Sequence, residues 1–126
     1  MRFVCLGCLD KEAWGRLNPA EQQSLVDECI AFDRELHAEG RFAAGFALRD
    51  SAEATTVRWK GGKASLVDGP FAETKEMLGG ILILEAKDKD EALRIISRHP
   101  GIRIGPFEVR PADEAFMAQH PILRKQ

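Results

Sequence analysis

The residue types best suited to chemistry lie close together in residues 66–84, which read LVDGPFAETKEMLGGILIL. Asp68 offers a carboxylate that can take up or release a proton, and we predict it as the acid–base residue of a site. Hydroxyl and ammonium groups that follow it could bind an anionic part of a small organic substrate, above a floor of glycine backbone. The predicted substrate-binding residues are Thr74, Lys75, Glu76, Gly79, Gly80 and Arg110.

The same segment could instead be a rigid corner. An aspartate before Gly-Pro suits an Asx turn, in which the Asp68 carboxylate accepts hydrogen bonds from backbone N–H groups nearby. Gly69 tolerates positive φ, Pro70 fixes its own φ, and Phe71 could pack into the core. A corner explains residues 68–71 but not the polar residues and paired glycines of 74–80. The residues alone leave both interpretations open.

Cys29 is a second catalytic candidate. It could act as a nucleophile, but it lies within an apolar helical stripe, Leu25-Cys29-Phe32-Leu36, where a thiol usually packs and has a raised pKa. Cys5 and Cys8 match C-x-x-C, the spacing of a redox pair or half a zinc site. Residues three apart on a strand point to opposite faces, and no second Cys/His pair follows, so we expect buried thiols and no metal site.

Several other side chains have ordinary roles available to them. Arg58, like Arg110, could bind a carboxylate bidentately or simply stay solvated. His37 and His99 follow predicted helix ends, where a partly cationic imidazole would meet the negative end of the helix dipole. Trp14 and Trp59 could line a pocket or a dimer rim, or pack in the core.

Composition narrows the functional classes. With 126 residues the chain is long enough for one domain, and its 18 basic and 20 acidic residues give a net charge of −2. This balance argues against a nucleic-acid surface. No apolar run approaches the length of about 18 residues that spans a membrane, and the odd number of cysteines fits a reducing compartment, so we expect a cytoplasmic protein. No nucleotide-binding motif is present, and no cofactor is predicted.

Hydrophobic periodicity and turn signals predict the order β-α-β, a hairpin, then β-α-β. Strands are expected at 3–8, 41–49, 54–59, 63–67 and 81–86, with helices at 18–40 and from Asp88. A last strand is expected through Ile102, Ile104, Phe107 and Val109. This order gives a ferredoxin-like α+β domain, with two helices on one face of an antiparallel sheet. The other sheet face would be bare and apolar, which predicts a homodimer with facing sheets.

The stretch VDGPFAETKE followed by LGG resembles the signature of DGPF-type proteins, the longer branch of the YCII-related family. The hairpin ATTVRWKGGK, the helix start DKDEAL and the strand FEVRP extend the resemblance over residues 2–111. We therefore predict a YCII-related domain at 1–111 and a C-terminal tail at 112–126 with a short helix at 113–119. The resemblance implies a dimeric α+β barrel, isomerase- or lyase-type activity on small organic molecules, and an association with extracytoplasmic-function sigma factors.

One departure from the family pattern affects the mechanism. Shorter YCII-type members pair a helix-borne histidine with an aspartate, and that histidine falls near Cys29 of this chain, so the dyad is not carried over. Two hypotheses follow. The chain is a cofactor-independent isomerase or lyase that uses acid–base chemistry at the DGPF loop, or it is a non-catalytic dimer that binds a ligand or a protein partner.

Overall fold

The computed structural model describes residues 1–72 and 74–124. Within these residues, six strands and four α-helices follow one another with short 3-10 turns between them. The elements are β1 Arg2–Asp10, α1 Lys11–Gly15, α2 Pro19–Ala38, β2 Phe42–Ala47, β3 Thr55–Lys60, β4 Lys63–Asp68, β5 Glu76–Glu85, α3 Lys89–Ile96, β6 Phe107–Pro111 and α4 Glu114–Ala118. The longest of the 3-10 turns, Pro100–Ile104, is called the 100–104 turn below.

The main sheet has four antiparallel strands in the order β2-β5-β1-β6. With α2 connecting β1 to β2 and α3 connecting β5 to β6, this is the ferredoxin-like α+β topology that the sequence predicts. In the sequence, β3 and β4 come between β2 and β5, and they form a separate two-stranded sheet. This pair of strands is called the 55–68 hairpin below. Gly61 and Gly62 both have positive φ, 62° and 80°, as its tight two-residue turn requires.

Local signals set the limits of α2. The Asn18 side chain accepts a hydrogen bond from the Glu21 N–H at 2.8 Å, and the Glu21 carboxylate accepts one from the Asn18 N–H at 2.9 Å. This reciprocal capping box satisfies two N–H groups that the helix leaves free, and Pro19 follows in the first turn. Gly40 follows the C-terminus with φ of 74°, a conformation that other residues adopt only with strain.

The core lies between the sheet and the two long helices. Alternate residues of the central strands face the helices, among them Phe3 and Cys5 on β1, both fully buried. The buried residues that pack with them are Leu36, Leu82, Leu84, Ala86, Ala92, Ile95 and Ile96. Val4 and Leu6 alternate with the buried pair and stay partly exposed on the opposite face of the sheet.

The last strand of the sheet begins later than the sequence predicts. Ile102 and Ile104, predicted to be part of it, lie in the 100–104 turn, and β6 begins only at Phe107. Pro100 starts that turn, and the His99 ring caps it by accepting a hydrogen bond from the Gly101 N–H. The short helix α1 was not predicted; it forms because the Asp10 carboxylate accepts hydrogen bonds from two N–H groups of its first turn.

Candidate functional site

A cavity of about 560 Å³ lies between α2 and the main sheet. It is called the α2 cavity below, and α1, α2, β1, β2, β5, the start of β6 and the 100–104 turn contribute to its walls. Most of its lining side chains are apolar, including Trp14, Val26, Ile104 and Phe107. Its volume lies within the range of about 300–1,000 Å³ that is common for small-molecule pockets.

Glycines on three adjacent strands line the α2 cavity. Gly7 on β1 pairs with Gly80 on β5, and Gly45 on β2 pairs with Leu82, two residues beyond Gly80. These three glycines occupy register positions that face the helices, as the buried Leu82 does. A Cβ atom at Gly7 would lie 3.1 Å from the Phe107 ring. Glycine at that position therefore lets the ring pack close against β1 at the wall of the cavity.

Two polar side chains reach the α2 cavity from α2 itself. Cys29 and Asp33 lie four residues apart and so share one face of the helix. Burial raises the pKa of the Cys29 thiol, and the nearby Asp33 carboxylate raises it further. A neutral thiol at this place is a poor nucleophile at neutral pH.

Asp33 forms a pair with His99 from the other end of the chain. The Asp33 Oδ1 atom lies 3.1 Å from His99 Nε2, and the Gly101 N–H donates a hydrogen bond of 3.0 Å to His99 Nδ1. Since a backbone N–H can only donate, Nδ1 carries no proton, and Nε2–H donates to Asp33. The imidazole is 7% exposed and lies between the rings of Phe32 and Phe107, with centroids 5.1 and 5.0 Å away.

The predicted role of His99 at a helix terminus is therefore wrong. The helix α3 ends at Ile96, three residues before His99, and the His99 ring binds a carboxylate and a backbone N–H instead of helix carbonyls. His37 does lie in the last turn of α2, where it was predicted. The sequence alone did not identify Asp33 as a site residue. Its position one turn after Cys29 was the available signal.

The DGPF corner is held by its backbone and not by the Asp68 side chain. Asp68 ends β4, is exposed, and makes no side-chain hydrogen bond with the residues that the structure describes. The Gly69 N–H donates to the Ala54 carbonyl, and the Thr56 hydroxyl donates to the Gly69 carbonyl, each at 2.7 Å. Gly69 has φ of 104°. The predicted Asx turn is therefore not formed, and Phe71, predicted to enter the core, is 79% exposed.

The other predicted binding residues divide into two groups. Gly79 and Gly80 line the α2 cavity together with Cys29. The remaining side chains form local pairs: Thr74 donates to the Glu76 carbonyl, Lys75 lies 3.5 Å from the Glu12 carboxylate, and Arg110 lies 3.7 Å from that of Glu108. In the described chain, the lining of the cavity does not include Asp68, Thr74, Lys75, Glu76 or Arg110.

Both members of the C-x-x-C pair are free thiols, but only Cys5 is buried as predicted. Cys5 is fully buried in the core, and its burial raises the thiol pKa to about 11. Cys8 is half-buried, and its pKa is raised by burial and then by the carboxylates of Glu108 and Glu76. Across residues 1–72 and 74–124, no three or more His, Cys, Asp or Glu side chains are grouped to hold a metal ion. The same residues include no helix long and apolar enough to cross a membrane.

The fold and the cavity define a small ferredoxin-like α+β protein with a candidate small-molecule site between its sheet and its helices. The chain belongs to the YCII-related family, since the model of the YCII-related domain matches residues 1–114. It is 31% identical over 115 residues to an uncharacterised protein of Rhizobium meliloti (strain 1021), covering 88% of this chain and 91% of the relative. Membership of the DGPF branch stays a prediction from residues 67–80.

A solved structure with a similar chain is 5-chloro-2-hydroxyhydroquinone dehydrochlorinase from Burkholderia phenoliruptrix AC1100, in complex with 2,5-dihydroxybenzoquinone. The two chains are 18% identical, the match covers 90% of this chain and 94% of that one, and the TM-score is 0.46.

Proposed function

We propose that this protein binds a small organic molecule in the α2 cavity and that Asp33 takes up or releases a proton there, in a reaction of the isomerase or lyase type. The lining of the cavity is the main support for this proposal, because it combines apolar walls from several elements with the Asp33 carboxylate on α2. Apolar surroundings with a few convergent polar groups are typical of small-molecule sites. A carboxylate held in hydrogen-bonding distance of a bound ligand is suited to general acid–base catalysis.

The geometry gives the lining residues different roles. His99 does not reach a ligand, because both ring nitrogens are occupied, so it positions Asp33. Cys29 contributes to the wall as a neutral thiol, because its raised pKa keeps it protonated. In this proposal Gly79 and Gly80 supply backbone to the floor of the α2 cavity, whereas the sequence-based prediction placed that floor beneath the DGPF corner.

The test is a screen of small organic molecules by thermal shift or NMR against matched cavity variants. Cys29→Leu places a larger side chain in the α2 cavity and should abolish binding, whereas Cys29→Ala keeps the space and should retain it. Asp33→Asn should fold normally and lose turnover of any substrate found. Binding that survives Cys29→Leu unchanged would place the ligand elsewhere and contradict the proposal.

A second candidate function is a dimeric ligand- or protein-binding module. It is favoured by the 55–68 hairpin, on which Val57, Trp59 and Leu66 are 65%, 77% and 69% exposed. Val57 pairs with Leu66 across the strands, so both lie on one face. A two-stranded hairpin alone is only marginally stable in water. Packing against a second copy of the chain would bury its apolar face and stabilise it. In such a dimer the exposed Asp68 would lie near the interface.

A further inference from the structure

We infer that the ligand of the α2 cavity is a neutral, mainly apolar molecule that presents an O–H or N–H group, and that the oxygen of Asp33 not held by His99 accepts its hydrogen bond. This inference rests on the proposed function, because it names the class of ligand for the same cavity. It rejects anionic ligands such as free carboxylates, which the sequence-based expectation of a Lys75 and Arg110 site favoured.

The Asp33–His99 pair makes one oxygen of the carboxylate available. His99 Nε2–H holds Oδ1 at 3.1 Å, and the imidazole is fixed by the Gly101 N–H on its other nitrogen and by two aromatic neighbours. In the described part of the chain, no hydrogen bond is recorded to Asp33 Oδ2. The carboxylate is therefore held in a fixed orientation with an acceptor atom still free.

The charge of the lining selects against anions. No lysine or arginine is among the described residues that line the α2 cavity, while Asp33 brings a negative charge to it. Arg103 lies close enough to act on the Cys29 thiol, but its guanidinium donates to the Glu28 carboxylate at 2.8 Å. The Asp33 side chain is 37% exposed, so solvent screens part of its charge. A bound anion would still face this carboxylate without a lysine or arginine among the lining residues, which costs free energy. A neutral hydrogen-bond donor meets no such cost.

The test uses three probes of similar size: phenol, anisole and benzoate. Their dissociation constants for the whole protein are measured by NMR titration of backbone amides. Phenol donates an O–H, anisole has the ring and oxygen without the donor, and benzoate is an anion. A hydrogen bond to a charged acceptor predicts that wild-type protein binds phenol at least about tenfold more tightly than anisole or benzoate.

Asp33→Asn should abolish this preference. His99 Nε2–H would still hold the side-chain oxygen, so the amide NH₂ group would occupy the free position and donate instead of accept. The advantage of phenol over anisole should then fall to about onefold, and benzoate should bind more tightly to the variant than to the wild type. A merely structural role of Asp33 would weaken all three probes alike and leave their ratios unchanged.

The outcomes separate this inference from the proposed function. If anisole binds wild-type protein as well as phenol does, or if Asp33→Asn leaves the ratios unchanged, the ligand class is wrong. The cavity itself is still supported in that case, provided that Cys29→Leu abolishes binding and Cys29→Ala does not. If binding of the probes is the same in Cys29→Leu as in wild type, the proposed site fails, and with it this inference.

Discussion

At the scale of residues, the carboxylate of Asp68 is exposed at the end of β4, next to a corner that other groups close. Its type and place before Gly-Pro suggested either a catalytic carboxylate or the cap of an Asx turn, whereas the corner is closed by the backbone of Gly69 and the Thr56 hydroxyl. Because the carboxylate is exposed, we expect Asp68→Asn to change the free energy of unfolding by less than about 0.5 kcal/mol. Urea unfolding measures this change.

Thr56→Val is the matched variant for the corner. It removes the hydroxyl that donates to the Gly69 carbonyl at 2.7 Å, and it should lower the free energy of unfolding by about 0.5–1.5 kcal/mol. A loss for Asp68→Asn as large as that for Thr56→Val would show that the aspartate holds the corner after all.

The buried thiol of Cys5 gives the protein an alkaline pH dependence. Its folded-state pKa of about 11 lies above the ordinary value, so the folded protein holds this proton more firmly than the unfolded chain. The stabilising contribution is therefore complete below the ordinary thiol pKa and is lost as pH rises toward 11. We expect wild-type protein to lose about 1–3 kcal/mol more than Cys5→Ala over that range, as measured by denaturant unfolding at several pH values. Parallel pH profiles of the two proteins would contradict this assignment.

At the scale of elements, the helix caps were predictable because their signals are local. Asp88 accepts a hydrogen bond from the Glu91 N–H at 2.8 Å and begins α3, as the D-x-x-E spacing predicts. We expect Asp88→Ala to reduce the free energy of unfolding by about 0.5–2 kcal/mol, because an N-cap is lost. The control is Asp90→Ala, an exposed acid in the first turn that is not the cap. Equal losses in thermal unfolding of both variants would show that charge, not capping, is what matters.

The elements that were predicted wrongly depend on contacts between distant parts of the chain. Ile102 and Ile104 alternate like a strand, but Pro100 and the His99 ring bend this segment into a turn against α2. The Asp33–His99 pair joins residues 66 positions apart, and no local signal announces such a pair. Gly79 and Gly80 were predicted to form a floor of backbone, but only the strand register shows that Gly7 of β1 lies opposite Gly80 and lines the same cavity. The sequence therefore predicted the fold well and the candidate site in part.

At the scale of the whole molecule, the 55–68 hairpin exposes apolar side chains that a second protein chain could bury. The homodimer predicted from the bare face of the main sheet stays a prediction, and we propose that the exposed apolar face of this hairpin contributes to its interface. We expect to see the association by sedimentation velocity at micromolar concentration. Trp59→Ser should shift the protein toward monomer, because aromatic side chains often dominate interfaces. Ile122→Ser is the matched control, since Ile122 is also 77% exposed but lies outside the hairpin. A wild-type monomer would contradict the dimer, and equal effects of both substitutions would contradict the hairpin as its interface.

We propose that the ligand binds in the α2 cavity and not at the DGPF corner. The test is to titrate the protein with a ligand found by screening and to measure the chemical-shift changes of its backbone amides. Glycine amide resonances are well separated in such spectra, so they report on the ligand's position. We expect the largest chemical-shift changes at Gly7, Gly45, Gly79 and Gly80, which line the cavity. Changes concentrated instead at Gly61, Gly62 and Gly69 would place the ligand on the hairpin and its corner and would rule out the α2 cavity as its site.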